Sequence, residues 1–413
     1  MDNLLNKYAK LVVKTGVNLQ RGQLLVINSP IECADFARRV AKEGFEAGCS
    51  DVKINWSDEK FSRIRFDGAA NEIFDEFPQY RYDMFMSFKE KGAAIVSIHA
   101  SDPSIFKGVE QDKLRRAQLA AGQALLEYRG ALMNNELRWC VVSIPTAAWA
   151  AKVFKEAVNE EEAVAKLWQA IFSAVRIDES NDPIEAWSRH TAFMKKATDF
   201  LNGEKLVSLH YTSGLGTDLT VKLPKGHIWA GGAEIAADKV EFVANMPTEE
   251  VYSLPDRNGV EGVVYASKPL IYQGNVIDGI RLVFREGKVV EYSAAKGQEV
   301  LKQLLDTDEG AKHLGEVALV PYDSPISNSG ILFYNTLFDE NAACHLAFGK
   351  AYPTCLEGGE GMDTVELLQH GVNDSLVHED FMIGTEDMEI VGTRADGSTV
   401  QIFTKGNFCT GIF

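Results

Sequence analysis

The stretch that decides the fold of the N-terminal half is Q-L-L-V-I-N-S-P-I-E-C-A-D-F-A-R-R-V-A-K-E-G, residues 23–44. Its first six residues enclose the short apolar run L-L-V-I (24–27), which is typical of a buried β-strand. The rest has apolar residues at helical spacing, with Ser29 suited to the N-cap, Pro30 to the first helical position and Gly44 to the end. The stretch therefore predicts a strand followed directly by a helix.

The same alternation continues on both sides of this stretch. Residues 4–17 predict an amphipathic helix, strands are predicted at 51–56, 93–99 and 138–145, and helices at 71–88 and 113–128. Strands that alternate with helices are typical of a parallel sheet covered on both faces. We therefore predict an N-terminal α/β domain with an open, mainly parallel sheet.

This domain has no sequence signature of a nucleotide site. No G-x-G-x-x-G follows the first strand, and G-x-x-x-x-G-K-[ST] is absent from the whole sequence. The nearest match, Gly214-Leu-Gly216, lies between two strand-like runs and predicts a hairpin turn. The domain is interpreted as a scaffold, which counts against a nucleotide-dependent dehydrogenase.

The predicted secondary structure changes from helices to short strands after residue 200. Residues 150–202 are strongly helical and end at L-N-G (201–203), a usual helix stop. Short strands separated by turn residues follow, among them K-V-E-F-V-A-N-M-P (239–247), with one helix at 298–307. We predict two domains, an α/β scaffold at 1–195 and a β-rich α+β catalytic domain at 196–413.

Composition excludes several functional classes. The formal net charge of −17 has no basic patch to offset it, which argues against nucleic-acid binding. Charges occupy the N-terminus where a signal peptide needs an apolar core, and no apolar run is long enough for a membrane helix. The six cysteines include no C-x-x-C pair, which indicates reduced thiols. The prediction is a cytoplasmic protein that binds neither nucleic acid nor membranes.

Residues 340–380 concentrate potential metal ligands, namely Glu340, His345, Tyr352, His378 and Asp380. His378 and Asp380 are two apart in a predicted strand, so their side chains share a face. Residues 351–393 contain ten Asp or Glu and no Lys or Arg, which makes a field that attracts cations. Spacing alone leaves open a solvated acidic loop with two ordinary histidines. Cys344, beside His345, is disfavoured as a nucleophile because adjacent strand residues point to opposite faces.

Two upstream motifs add carboxylates. In N-M-P-T-E-E-V-Y (245–252), Pro247 fixes a turn, so one of Glu249 and Glu250 is expected to point inward while the other stays in solvent. In H-L-G-E-V-A-L-V-P (313–321), Glu316 opens an apolar run, and a buried carboxylate must be paired or bound to metal.

Together, N-M-P-T-E-E-V, L-G-E-V-A-L-V, D-E-N-A-A-C-H-L-A-F-G-K-A-Y and V-H-E-D-F-M-I-G resemble the motifs of the M29 family of metallo-aminopeptidases. The resemblance covers essentially the whole chain, with the motifs in the family's order. It implies a two-metal site in which Glu316 bridges both ions and Glu250, His345, His378 and Asp380 are the other ligands. It further implies that Tyr352 is a ligand or a transition-state donor, and that Glu340 is a ligand or the base that activates water. A homodimer that encloses its sites in an internal cavity is also implied.

Metal-assisted hydrolysis of a peptide bond requires a similar set of groups. A pair of ions bridged by a carboxylate can activate water and polarise a peptide carbonyl. Histidine and carboxylate ligands without a thiolate suit zinc, cobalt, manganese or magnesium, and the one-zinc motif H-E-x-x-H is absent from the sequence. The hypothesis is a metal-dependent aminopeptidase that takes the N-terminal residue from short peptides. The alternatives are a metal-dependent hydrolase of other small amides, and a non-catalytic protein that binds metal or a small molecule.

Overall fold

The structure is a computed structural model that describes residues 1–100, 102, 104–272 and 275–412. Its α-helices, in chain order, are α1 (Asp2–Leu11), α2 (Ala34–Glu46), α3 (Glu59–Gly68), α4 (Gln79–Glu90), α5 (Gln111–Ala124), α6 (Leu126–Met133), α7 (Ala147–Val153), α8 (Glu160–Ala174), α9 (Pro183–Glu204), α10 (Gln298–Leu305), α11 (Pro325–Ser329), α12 (Thr336–Asp339) and α13 (Thr364–Gln369).

The strands, in chain order, are β1 (Leu24–Pro30), β2 (Asp51–Ser57), β3 (Ala94–His99), β4 (Trp139–Ser143), β5 (Leu206–Thr212), β6 (Asp218–Lys222), β7 (Ala230–Gly231), β8 (Glu234–Ile235), β9 (Glu241–Phe242), β10 (Asn245–Met246), β11 (Val251–Ser253), β12 (Val260–Tyr265), β13 (Leu270–Tyr272), β14 (Asn275–Ile277), β15 (Arg281–Arg285), β16 (Lys288–Ser293), β17 (Leu314–Leu319), β18 (His345–Gly349), β19 (His378–Met382), β20 (Glu389–Arg394), β21 (Thr399–Thr404) and β22 (Asn407–Phe408).

The chain forms two compact units, and the first comprises residues 1–188 and 233–247. Its sheet has the strand order β10-β4-β3-β1-β2, and every pair in it is parallel. On one face, Leu24 and Val26 pack with Phe85 of α4 and Tyr128 of α6. On the other face, Leu25 packs against Gly44 of α2. The predicted α/β architecture with a mainly parallel sheet is confirmed.

Several element boundaries in this unit differ from the predictions. The N-cap predicted at Ser29 is wrong, because parallel pairing carries β1 on through Pro30, opposite Ser57, and the α-helix begins only at Ala34. The helix predicted at 71–88 is a 3₁₀ turn at Asn71–Phe74 followed by α4. Helix α3 was not predicted, and none of its residues is buried. Its formation is therefore not driven by a buried apolar stripe of the kind that sequence periodicity detects.

The run at 239–247 was predicted to be a strand of the C-terminal domain. Instead, β9 pairs with β8, and β10 joins the parallel sheet of the first unit beside β4. The assignment of two domains with a boundary at residue 195/196 stays a prediction.

The second unit comprises residues 189–232 and 248–413. Its two larger sheets are antiparallel, one with the order β16-β15-β12-β6-β5-β20-β21-β22 and the other with the order β19-β18-β17-β11-β7. The short strands β13 and β14 form a further antiparallel pair. The hairpin predicted around Gly214–Gly216 is confirmed between β5 and β6. Helix α9 continues through Gly203 to Glu204, and Lys205, with φ of 48°, leaves the helix instead. Every strand of the five-stranded sheet except β7 either carries or directly follows a candidate site residue.

Among the described residues, every helix is too short or too polar to cross a membrane.

Candidate metal centre

The candidate ligands share one face of three neighbouring strands. Glu316 on β17 lies opposite Ala347 on β18, and Ala347 lies opposite Asp380 on β19. Directly paired residues project to the same face of a sheet, so the two carboxylates flank a methyl group. His345 and His378 lie two residues along their strands from Ala347 and Asp380, and therefore project to that face as well. The small side chain of Ala347 leaves room for the carboxylates to converge above it.

Glu250, Glu316 and His345 form the first ligand group. Their donor atoms lie within 4.8 Å of one another, and all three residues are buried. His345 Nε2 lies 3.1 Å from Glu250 Oε2 and 3.3 Å from Glu316 Oε1. Glu250 comes directly before β11, which pairs with β17 and so brings its side chain to the sheet face.

Glu316, His378 and Asp380 form the second ligand group, again with donor atoms within 4.8 Å of one another. His378 Nε2 lies 3.6 Å from Glu316 Oε2 and 3.6 Å from Asp380 Oδ1. Glu316 therefore turns one carboxylate oxygen towards each histidine. A carboxylate with this orientation is suited to bridge two cations.

Both imidazoles are oriented by backbone carbonyl groups. His345 Nδ1 lies 3.2 Å from Ala343 O, and His378 Nδ1 lies 2.6 Å from Lys350 O. Because a carbonyl oxygen only accepts hydrogen bonds, each Nδ1 donates to its carbonyl, and each Nε2 is the ring nitrogen that faces the ligand groups. This is the usual arrangement of a metal-binding histidine.

The electrostatics of the groups fit a bound cation. Burial disfavours a charged imidazole at His345, yet hydrogen bonds with Glu250 and Glu316 raise its pKa well above the usual value. Burial also raises the pKa of Glu316, and the charges of Asp380 and Glu250 add to the rise. Asp380 Oδ1 is buried without a hydrogen-bond partner. The site thus favours positive charge and leaves a buried oxygen unsatisfied, which a divalent ion with oxygen and imidazole ligands would correct.

Tyr352 and Glu340 border the two groups without being members of either. The Tyr352 ring packs edge-on against the His378 ring, with centroids 5.0 Å apart. Burial, together with the carboxylates of Glu316 and Asp380, raises the pKa of Tyr352 well above its usual value, so its hydroxyl stays a donor. Burial and the charges of Asp380 and Glu250 raise the pKa of Glu340 well above its usual value.

The structure also tests two further expectations, one about the adjacent residues Glu249 and Glu250 and one about Cys344. Glu249 and Glu250 are both buried, so the expected division into one inward and one solvent-exposed carboxylate is wrong. Cys344 is buried, and its Sγ lies 3.3 Å from both the N and the O of Val320. Burial raises the pKa of this thiol to about 12, so it is protonated and unsuited to nucleophilic attack.

Two buried asparagines near the ligand groups, Asn341 and Asn373, were not predicted from the sequence. Asn341 contacts the backbone beside Glu250, and Asn373 contacts the segment that orients His378. Each has at least one partner in a distant segment of the chain, Glu249 for Asn341 and Gly310 for Asn373, and no sequence motif marks such a contact. For Asn341, the local signal is an amide at the start of the mainly apolar run N-A-A-C-H-L-A-F.

Comparison with known proteins gives a consistent picture. The family model described as "Thermophilic metalloprotease (M29)" matches residues 1–408. Aminopeptidase 2 of Geobacillus stearothermophilus is 49% identical over 404 residues, which cover 98% of this chain and 97% of the relative. Aminopeptidase AmpS of Bacillus subtilis is 46% identical and covered to 98%, as is this chain. The structure of wild-type AmpT from Thermus thermophilus superposes with a TM-score of 0.92 at 40% identity, covering 99% of this chain and 100% of that one.

The match over nearly the full length and the high identity to several relatives agree with the motifs and with the fold. The predicted resemblance is therefore confirmed: the chain belongs to the M29 family of metalloproteases, which are hydrolases of peptide bonds.

Proposed function

We propose that the protein is an aminopeptidase that removes the N-terminal residue from short peptides, with two divalent cations held by the two ligand groups. The observation that carries the proposal is the orientation of Glu316, which lies 3.3 Å from His345 Nε2 through one oxygen and 3.6 Å from His378 Nε2 through the other. The aminopeptidase names of the relatives support the reaction class.

In this proposal the residues divide the work of binding. Glu250 and His345 would hold one ion, His378 and Asp380 would hold the other, and Glu316 would serve both. When bound, such ions polarise the scissile carbonyl and lower the pKa of the attacking water. Zinc, cobalt, manganese and magnesium all suit this ligand set.

Proton transfer falls to Glu340 and stabilisation of charge to Tyr352. The Glu340 carboxylate borders both groups and, when ionised, can accept the proton of the attacking water and return it to the leaving amine. The Tyr352 hydroxyl remains protonated and can donate a hydrogen bond to the carbonyl oxygen as negative charge develops there.

Recognition of a free N-terminus follows from charge. Residues 351–393 contain ten acidic side chains and no Lys or Arg, and of these ten only Asp380 would be neutralised by a bound ion, so the region stays negative. A peptide α-ammonium is attracted to such a region, whereas a blocked amine is not. Small peptides are therefore the proposed substrates.

Two further parts of the proposal concern assembly and location. We propose a homodimer, which size-exclusion chromatography tests, since a mass near that of one 45.6 kDa chain would contradict it. A cytoplasmic location is supported by the six cysteines, all of which are free thiols, as expected in a reducing compartment.

The experiment that tests the function uses metal-stripped protein and a panel of aminoacyl chromogenic substrates with N-blocked controls. Zinc, cobalt, manganese and magnesium are added back separately. Activity restored by metal on free amino termini only is the expected result. Activity on blocked substrates too would instead indicate a broader amidase, and tight metal binding without turnover would indicate a binding protein.

A further inference from the structure

We propose that Asn341 and Asn373 are positioning residues with divided roles, Asn341 serving the first ligand group and Asn373 the second. Neither side chain is proposed to touch an ion. Each holds the backbone from which one member of its own group is presented or oriented. The inference rests on the proposed two-ion site and goes beyond it, because it assigns each asparagine to one ion.

Asn341 links the two segments that carry Glu250 and Glu340. It is completely buried, and its Oδ1 accepts a hydrogen bond of 2.7 Å from the backbone N–H of Glu249. Its Nδ2 donates to Leu337 O at 2.9 Å and lies 3.4 Å from Glu340 Oε1. One amide thus fixes the residue before Glu250 to the turn that precedes His345.

The segment Thr248–Glu250 has a second support from a side chain. His190 Nε2 lies 2.8 Å from Thr248 O. Two side-chain contacts on consecutive residues therefore hold the approach to Glu250. Loss of Asn341 alone is expected to loosen Glu250 without releasing it.

Asn373 holds the segment that orients His378. Its Nδ2 donates to Gly349 O at 2.6 Å and to Gly310 O at 2.8 Å, and its own backbone O accepts from Ala351 N at 3.0 Å. Gly349 and Ala351 flank Lys350, whose carbonyl oxygen accepts a hydrogen bond from His378 Nδ1. Asn373 therefore fixes the position of the carbonyl group that aims His378 Nε2 at the second ligand group.

The partners of both amides determine which end is oxygen and which is nitrogen. Each Nδ2 faces acceptors only, whereas each Oδ1 faces a donor, which is Glu249 N–H for Asn341 and Arg257 Nε for Asn373. Only an amide offers this combination of donors and acceptor on one short side chain. Aspartate would place a carboxylate against carbonyl oxygens, which explains the choice of residue at both positions.

The expected magnitude follows from the behaviour of outer-shell residues in metal sites. Removing a residue that orients a ligand typically costs about 10–100-fold in metal affinity. Because each asparagine supports one group, the loss should fall on one of two ions. A role in general stability alone would lower both affinities together or neither.

The test is a calorimetric titration of the metal-stripped full-length protein with Zn²⁺, repeated with Co²⁺ so that visible absorption reports the coordination. The wild-type protein is expected to bind two ions. Glu250→Gln identifies the binding step that belongs to the first group, and Asp380→Asn identifies the step of the second. N341A should then lower the metal affinity of the step assigned to the first group by about 10–100-fold. N373A should lower the affinity of the step assigned to the second group by a similar factor. In each variant the other step should change much less.

The outcomes separate the inference from the proposed function. Wild-type protein that binds a single ion would overturn the two-ion site and this inference with it. Two ions in the wild type, with N341A and N373A weakening both steps equally or neither, would overturn the inference alone. Near-ultraviolet circular dichroism checks that each variant is folded. If an alanine variant does not fold, N341S and N373S, which keep a shorter polar side chain, are expected to show smaller shifts in the same two binding steps.

Discussion

The two ligand groups share Glu316 yet differ in their exposure to solvent. In the first group, the side chains of His345 and Glu250 are 1% and 11% exposed. In the second group, the His378 side chain is 24% exposed. An ion held by the first group would therefore be enclosed by protein on nearly all sides. An ion held by the second group would be nearer to solvent on the side of His378.

The groups also differ in how the chain builds them. The first draws its members from three separate segments, since Glu250 precedes β11, Glu316 lies on β17 and His345 lies on β18. The second takes two of its three members from one strand, β19, at positions two apart. The first group therefore depends on long-range assembly, whereas the second is largely a property of one strand. Two groups that share a residue can therefore have the positions of their other members fixed in different ways, one by contacts between distant segments and the other by spacing along one strand.

The largest effect is expected for Glu316→Ala, because this substitution removes the proposed ligand that both groups share. Both ions should be lost or greatly weakened, and kcat/KM should fall by more than about 10⁴-fold, since the ions supply several kcal/mol of charge stabilisation. Metal content measured on the purified protein checks the first part. Glu379→Gln is the matched control, because Glu379 lies on the same strand as Asp380 but on its opposite face. Unchanged activity and metal content in Glu316→Ala would show that the site is elsewhere.

Glu340→Gln sharpens the comparison by testing a residue outside both groups. If Glu340 transfers the proton, kcat should fall by about 10²–10⁴-fold while two ions remain bound. The measurement is steady-state kinetics together with metal analysis on the same preparation. Loss of one ion in this variant would instead make Glu340 a ligand and enlarge one of the groups.

Removal of metal by a chelator tests the difference in exposure directly. Release should occur in two phases, with the faster phase coming from the second group because His378 is more exposed than His345. Stopped-flow detection with a chromogenic chelator follows the phases, and Asp380→Asn should remove the faster one. A single phase for both ions would show that exposure does not control their release.

The smallest effect is expected for Gly349→Ala, at the strand position opposite His378. Gly349 has φ of 92°, and a Cβ atom there would lie 2.1 Å from Val377 O. Strain and overpacking should lower the free energy of unfolding by roughly 2–5 kcal/mol. They should also lower the metal affinity of the second group more than that of the first. Urea denaturation and metal titration check these two expectations.

Gly397→Ala is the control for backbone strain in that experiment. Gly397 has φ of 84° with nothing within 4 Å of its Cβ position, so only the conformational cost of about 1–2 kcal/mol remains. Equal losses in both variants would mean that close packing at Gly349 contributes nothing to the second group.

Local patterns in the sequence predicted the parts of the fold that local patterns control. The buried strands of the parallel sheet and the pair His378 and Asp380 follow from periodicity over a few residues. The two-residue strand β10 has no such pattern, because its pairing is decided by β4, far earlier in the chain. The limits of β1 were missed for the same reason, since pairing with β2 extends it beyond its apolar run.

The candidate site shows the same division. The motifs pointed to Glu250, Glu316, His345, His378 and Asp380, and the structure brings these residues together, while their roles as ligands stay a prediction. The expectation that one of two adjacent glutamates faces solvent failed because the fold encloses both. Glu249 donates its N–H to Asn341, and its carboxylate lies 3.7 Å from His190 Nε2. Such polar contacts between distant segments cannot be recognised from spacing in a single sequence.

The parallel pairing of β10 with β4 has a consequence for synthesis of the chain on the ribosome. Until residues 245–246 have emerged, β4 is the last strand of its sheet, with its backbone hydrogen-bonding groups unpaired along one edge. The nascent first unit therefore keeps an unpaired strand edge while α7–α9 and the strands β5–β9 are translated. A truncated gene that stops after residue 188 would leave that edge open permanently, so such a fragment should associate with copies of itself.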